Sequence, residues 1–165
     1  MVKSVDTRTS PNVLERPATA LTAGIALFAV YHLGLAALMA FAPHYFFANI
    51  GPFGIRNDHY IRDLATYNAA IGAGLIVAVR RRSWRVPLLA VLTLQFALHS
   101  LNHLIDINAA HPNWNGYFDF FSLAIATVVL AWLWRLAARM PDDPPAEEIA
   151  QDGGSRSSSS MGASR

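Results

Sequence analysis

The sequence predicts an all-α protein, a four-transmembrane-helix up-down bundle with both termini cytoplasmic. Three observations carry this. Hydrophobic residues make up 53% of the 165-residue chain and charged residues only 15%, against roughly 45–50% and about 25% in soluble domains. The apolar residues gather into four runs separated by charged or turn-forming segments. Lys and Arg then alternate between dense and sparse from one inter-run segment to the next.

In chain order, residues 1–17 are a polar N-terminal segment expected in the cytoplasm. Ala18 to Phe41 follows without a single charge, giving a first span over about residues 18–42. Ala40-Phe41-Ala42 has the small-x-small form of a cleavage site, but the run far exceeds the about 7–15 residues of a signal core, so no cleavage is expected. Pro43 to Ile61 reads as a loop containing a short amphipathic interfacial segment, with Tyr45, Phe46 and Phe47 set against His44 and Asn49. Within it, Gly51-Pro52-Phe53-Gly54 is a turn signal without the Gly-Lys-Ser/Thr of a phosphate loop.

The second run, Leu64 to Val79, falls short of the roughly 20 residues a span needs. The helix is therefore expected to begin earlier, through His59 to Asp63, covering about residues 60–80. Val86 to Ile105 gives a third span over about 86–106, and Phe118 to Trp134 a fourth over about 117–137. These four make a membrane domain over residues 18–137. Residues 138–165, rich in Pro, Asp, Glu, Gly and Ser, read as a disordered cytoplasmic tail because they lack apolar surface to bury.

Orientation follows from basic residues. Lys3, Arg8, Arg16, the cluster Arg80-Arg81-Arg82 with Arg85, and Arg135 with Arg139 all fall on one side of a four-span chain. Arg56 and Arg62 alone fall on the other, so the first side is expected in the cytoplasm of a cell membrane. The Arg cluster serves as a topology determinant and is suited to anionic lipid. Tyr45, Phe46, Phe47, Tyr60, Trp114 and Tyr117 supply an outer aromatic belt. Because the basic residues sit beside apolar runs, nucleic acid is not an expected partner; the lipid bilayer is. With no Cys, disulfides, thiolate nucleophiles, zinc fingers, iron–sulfur clusters and covalent haem are excluded.

Polar residues inside the runs single out a candidate site. Gln95, His99, Asn102, His103 and Asp106 fall within about a 100° arc of the third helix. Counting about 1.5 Å per residue from the cytoplasmic ends places His32 and His99 about 20 Å deep and Tyr67 and Asn68 about 16–18 Å deep. Asp63, His103 and Asp119 form a second tier at about 24–26 Å, near Arg62, His59 and Asp106. Polar groups at such depths must pair, face the bundle interior or touch water, which makes a ligand pocket the working expectation: His32, His59, Arg62, Asp63, Tyr67, Asn68, Gln95, Asn102 and Asp119.

Four readings of that cluster stay open. As inter-helix glue, Arg62 pairs with Asp63, Asp106 or Asp119, and the amides and imidazoles hydrogen-bond across helices. As a metal site, His99 and His103 at i, i+4 with Asp106 one turn on, completed by Asp63, Asp119 or His32, hold a divalent cation such as zinc, manganese or iron. As a b-type haem or quinone site, His32 and His99 ligate from different helices. As a small-ligand or carrier site, Arg62 anchors an anionic head and His and Asp titrate in a water-filled cavity. Whether the protein is an enzyme stays undecided; in that case His99 or His103 is base or ligand, with Asp63 and Asp119 as partners. Ser100 lacks a nucleophile-elbow context. Ala69, Ala70, Gly72, Ala73 and Gly74 permit close helix packing, within one chain or in a homo-oligomer.

From Gly51 to Gly116, with Asn57, His59, Arg62-Asp63, Tyr67, Gly72 and His99-Ser100-Leu101-Asn102-His103-Leu104-Ile105-Asp106, the chain resembles small four-helix bacterial membrane proteins of the DoxX-like type, particularly uncharacterised actinobacterial members. The resemblance covers about residues 20–137. It implies the four-helix architecture, and, from members associated with quinol oxidase or thiosulfate oxidation, an accessory role beside a respiratory-complex partner.

Overall fold

The computed structural model describes residues 12–140. The N-terminal segment before residue 12 and nearly all of the expected disordered tail lie outside the described residues. The chain runs α1 (Asn12–Phe41), α2 (Pro43–Asn49), α3 (Asp58–Arg80), a 3-10 turn (Arg82–Trp84), α4 (Arg85–Ile105) and α5 (Trp114–Ala138). Among the described residues there is no β-strand, only an isolated antiparallel bridge between Phe53 and Ala110.

Local chemistry sets the helix ends. Pro43 starts α2, where its missing N–H breaks no helical bond. Asn57 caps α3, its side-chain oxygen accepting from the backbone N–H of His59 at 3.1 Å and Tyr60 at 3.3 Å. At the other end of α3 the orphan carbonyls are met by Arg85: Nε donates to the Ala78 oxygen at 2.9 Å and Nη2 to the Val79 oxygen at 3.0 Å. The same Nη2 reaches Thr22 Oγ1 on α1 at 3.4 Å. Arg85 therefore ties three helices together, a role that its place in a basic cluster does not reveal.

Three helical segments are long and apolar enough to cross a membrane: Pro17–Phe41, Arg82–Ile105 and Trp114–Ala138. The segment expected as the second span forms the 23-residue α3, but with Asp58, His59, Arg62 and Asp63 in its first turns it does not reach that level of apolarity. At about 1.5 Å per residue it is still about 34 Å long. The amphipathic expectation for the first loop takes the form of α2, with one difference. Phe46 and Phe47 pack inward against Met39, Ile61 and Ala65, whereas Tyr45 is exposed beside His44.

Close packing joins chain neighbours. α1 lies along α3 and α4 along α5, and contact between the two pairs is sparser. Gly72 explains the first pair: a Cβ there would stand 2.7 Å from Leu33 Cγ and 3.2 Å from the Leu33 backbone nitrogen, so only glycine allows the approach. One end of the molecule is filled by Leu21, Ile25, Leu75, Leu89, Leu92, Leu130 and Leu133, all almost fully buried. The other end holds the smaller cluster of Met39, Ile61 and Ala65. Between these two apolar clusters the polar side chains collect. The outward faces of α1, α4 and α5 expose Leu27, Val30, Val91, Leu94, Leu98, Ile125 and Val128, as expected of helices that are apolar all round.

Candidate functional site

A cavity of about 200 Å³ lies between the two helix pairs. His32 comes from α1, Asn68 from α3, Gln95, His99 and His103 from α4, and Asp119 from α5. All six belong to the set expected from sequence. Leu35, Met39, Phe96 and Leu123 form apolar walls, and Gly51 and Phe53 of the first loop close one side. Phe53 sets its ring edge-on to His103 at a centroid distance of 5.0 Å, held there by the bridge to the buried Ala110 of the other loop.

Hydrogen bonds fix the orientation of His32. Asn68 Nδ2 donates to the Leu64 carbonyl one turn back at 3.0 Å, which leaves its Oδ1 as acceptor. That oxygen stands 2.8 Å from His32 Nδ1, so the imidazole donates from Nδ1. In the neutral ring Nε2 is then a bare acceptor, and it is buried without a hydrogen-bond partner among the described residues. Phe96 supports the ring edge-to-face at 5.8 Å.

On the other pair, His99 Nε2 and His103 Nε2 are 3.1 Å apart, so one donates to the other. His103 Nδ1 faces Asp119 Oδ2 at 3.9 Å. Two bare acceptors facing each other would repel, which places the His103 proton on Nδ1 and makes His99 the donor of the inter-histidine bond. At 3.9 Å the His103–Asp119 contact is too long for a hydrogen bond. Both atoms are buried without a hydrogen-bond partner among the described residues.

The rest of the expected pocket does not assemble. His59, Arg62, Asp63, Tyr67, Asn102 and Asp106 are all exposed, and His59 pairs with Asp63 at 3.4 Å on the surface of α3. The reason is azimuth. Asn68 faces α1, and at about 100° per residue Asp63, Arg62 and His59 lie about 120–180° away around α3, with Tyr67 about 100° away. Matching depth therefore does not make them neighbours. Arg62 forms no ion pair among the described residues, so the expected pairing with Asp63, Asp106 or Asp119 is absent. Asn102 is exposed although it shares the arc of Gln95 and His99, and Asp106 follows the last residue of α4 as its C-cap, off the helical register.

These positions bear directly on the metal and haem readings. Among the described residues no three His, Asp or Glu side chains come together as metal ligands, so His99, His103 and Asp106 do not form the expected set. His99 engages His103 through Nε2. The cavity also lies below the roughly 300–1,000 Å³ typical of sites for drug-sized molecules, which is too small for a macrocycle.

Sequence reasoning missed Tyr31 and Ser122. Ser122 follows Asp119 by one helical turn and donates to its carbonyl at 3.0 Å, so i, i+3 spacing on the fourth run was the available signal. The loop residues Gly51 and Phe53 carry no comparable signal. Comparison of the chain with protein-family models, curated proteins and solved structures finds no match.

Proposed function

We propose that this is a four-span cell-membrane protein with cytoplasmic termini, whose outward-half pocket binds a small hydrogen-bonding ligand. The exposed apolar faces of α1, α4 and α5 support membrane residence. α3 serves as the remaining span because it is long enough and lies along α1. Orientation rests on the excess of Lys and Arg at one end of the bundle. Exposed Tyr45, Tyr60, Trp114 and Tyr117 mark the opposite interface.

The observation that carries the ligand reading is the convergence of three buried, unpartnered polar atoms on one cavity: His32 Nε2, His103 Nδ1 and Asp119 Oδ2. Each such atom costs about 1–3 kcal/mol if left unmet, and buried polar groups without partners point to a site that another molecule completes. Inter-helix glue is the second reading, favoured by the bond from His32 to Asn68 across α1 and α3. It accounts for His32 Nδ1 and leaves the other three atoms unexplained.

The absence of cysteine makes the chain a ready background for thiol labelling. Ser122→Cys places a thiol at the cavity wall, and cyclohexanol is expected to slow its modification while cyclohexane does not. Equal protection by both, or by neither, overturns the ligand reading. For topology, Ile55→Cys is expected to react with a membrane-impermeant maleimide in intact cells, and Ser83→Cys only after permeabilisation; the reverse pattern overturns the orientation.

A further inference from the structure

The polar cavity is not closed on all sides. Tyr31, Leu35, Phe96, Asp119, Ser122 and Leu123 line it and also line a second, larger space of about 550 Å³. That second space is walled by Leu27 and Phe28 of α1 and Phe118 and Ala126 of α5, so it is an apolar groove between the two helices. Leu27 and Phe118 are strongly exposed, which opens the groove toward the lipid. The two spaces adjoin along these side chains, so a head group among the histidines and a chain in the groove would occupy neighbouring volumes with Asp119 at their shared border.

Hydrogen-bond chemistry selects the head. A single oxygen can stand about 2.8 Å from both His103 Nδ1 and Asp119 Oδ2, since those atoms are 3.9 Å apart. It must accept from the Nδ1 proton and donate to the carboxylate. A hydroxyl does both; an ammonium only donates, and a carboxylate only accepts. His32 Nε2, bare in the tautomer fixed by Asn68, gives the same head an alternative acceptor. Water has the same bonding capacity, but it has no use for the groove.

Resting on the pocket reading above, we infer that the ligand is an uncharged, hydroxyl-headed, single-chain amphiphile, its head between His103 and Asp119 and its chain between α1 and α5. It enters sideways from the outer leaflet, where the groove meets lipid, rather than through the loops that Phe53 and Ala110 hold together.

The test uses the full chain in phosphatidylcholine nanodiscs and dodecanol carrying a photoreactive diazirine at its far end. Cross-links are expected at Leu27, Phe28 or Ala126, competed by unlabelled dodecanol and not by dodecane. Capture is expected to fall about tenfold in Asp119→Leu, which removes a charge-assisted hydrogen bond, and similarly in Ala126→Trp, which fills the groove. Asp119→Asn keeps size and an acceptor and retains part of the capture, which separates lost bonding from lost folding. Equal competition by dodecane overturns the inference, because the groove then holds any chain. Better competition by dodecylamine or dodecanoate overturns the hydroxyl head. Loss of capture in Asp119→Leu but not in Ala126→Trp refutes the chain site while the pocket stands. No loss in either variant removes both.

Discussion

The two halves of the bundle solve the same packing problem in opposite ways. Toward the Arg-rich end, Leu21, Ile25, Leu75, Leu89, Leu130 and Leu133 fill the space between the helix pairs. Toward the other end the same four helices present His32, Asn68, His99, His103 and Asp119, and a cavity stays open between them. Leucine is deformable in rotamer and indifferent to direction, so facing leucines interdigitate. Imidazole and carboxylate bond only along set directions, and their unmet atoms hold space that no apolar neighbour can fill without cost. The closed half is filled by apolar side chains, and the open half keeps directional polar atoms around a cavity.

Substitutions can break this contrast, and the largest effect belongs to the closed half. Leu75→Ala should destabilise by about 2–4 kcal/mol, chiefly through the cavity it leaves, as read by reversible unfolding in mixed micelles. A smaller loss there would mean that the end is less tightly filled than Leu75, fully buried, indicates.

In the open half Asn68→Ala should cost about 1–2 kcal/mol by stranding His32 Nδ1. The double change His32→Phe with Asn68→Leu removes both partners and should recover most of that loss. If the double variant is worse than Asn68→Ala, the bond is not what that site contributes.

Asp119→Leu sharpens the contrast further: stability should hold within about 0.5 kcal/mol or rise, because an unmet buried acceptor is removed, while ligand protection of Ser122→Cys disappears. A large fall in stability would reassign Asp119 to structure. Arg62→Ala should be the mildest, leaving accumulation unchanged, since Arg62 is exposed and unpaired among the described residues. Its collapse would restore the glue reading.

Much of this was legible from residue order. The apolar run Val86–Ile105 and the helix Arg85–Ile105 nearly coincide, because a span without water must satisfy its backbone internally and therefore becomes helix throughout. Depth counting also placed His32 level with His99 and His103 level with Asp119, and those residues do share the cavity. What depth cannot convey is rotation. The turn of α3 that carries Arg62 and Asp63 away from α1 is set by Gly72 docking on Leu33, a contact between residues 39 positions apart in the chain. The reach of Arg85 back to Ala78, Val79 and Thr22 is likewise invisible until the turn that precedes α4 is built.

The pairing of chain neighbours has a consequence for biosynthesis. α1 and α3 can assemble as soon as both have been synthesised, and α4 and α5 later, because each close interface needs only locally encoded partners. The cavity belongs to neither hairpin. It is complete only where the two pairs meet, with His32 and Asn68 from the first and His103 and Asp119 from the second. A molecule that bridges the halves would therefore favour the joined bundle over its separated helix pairs.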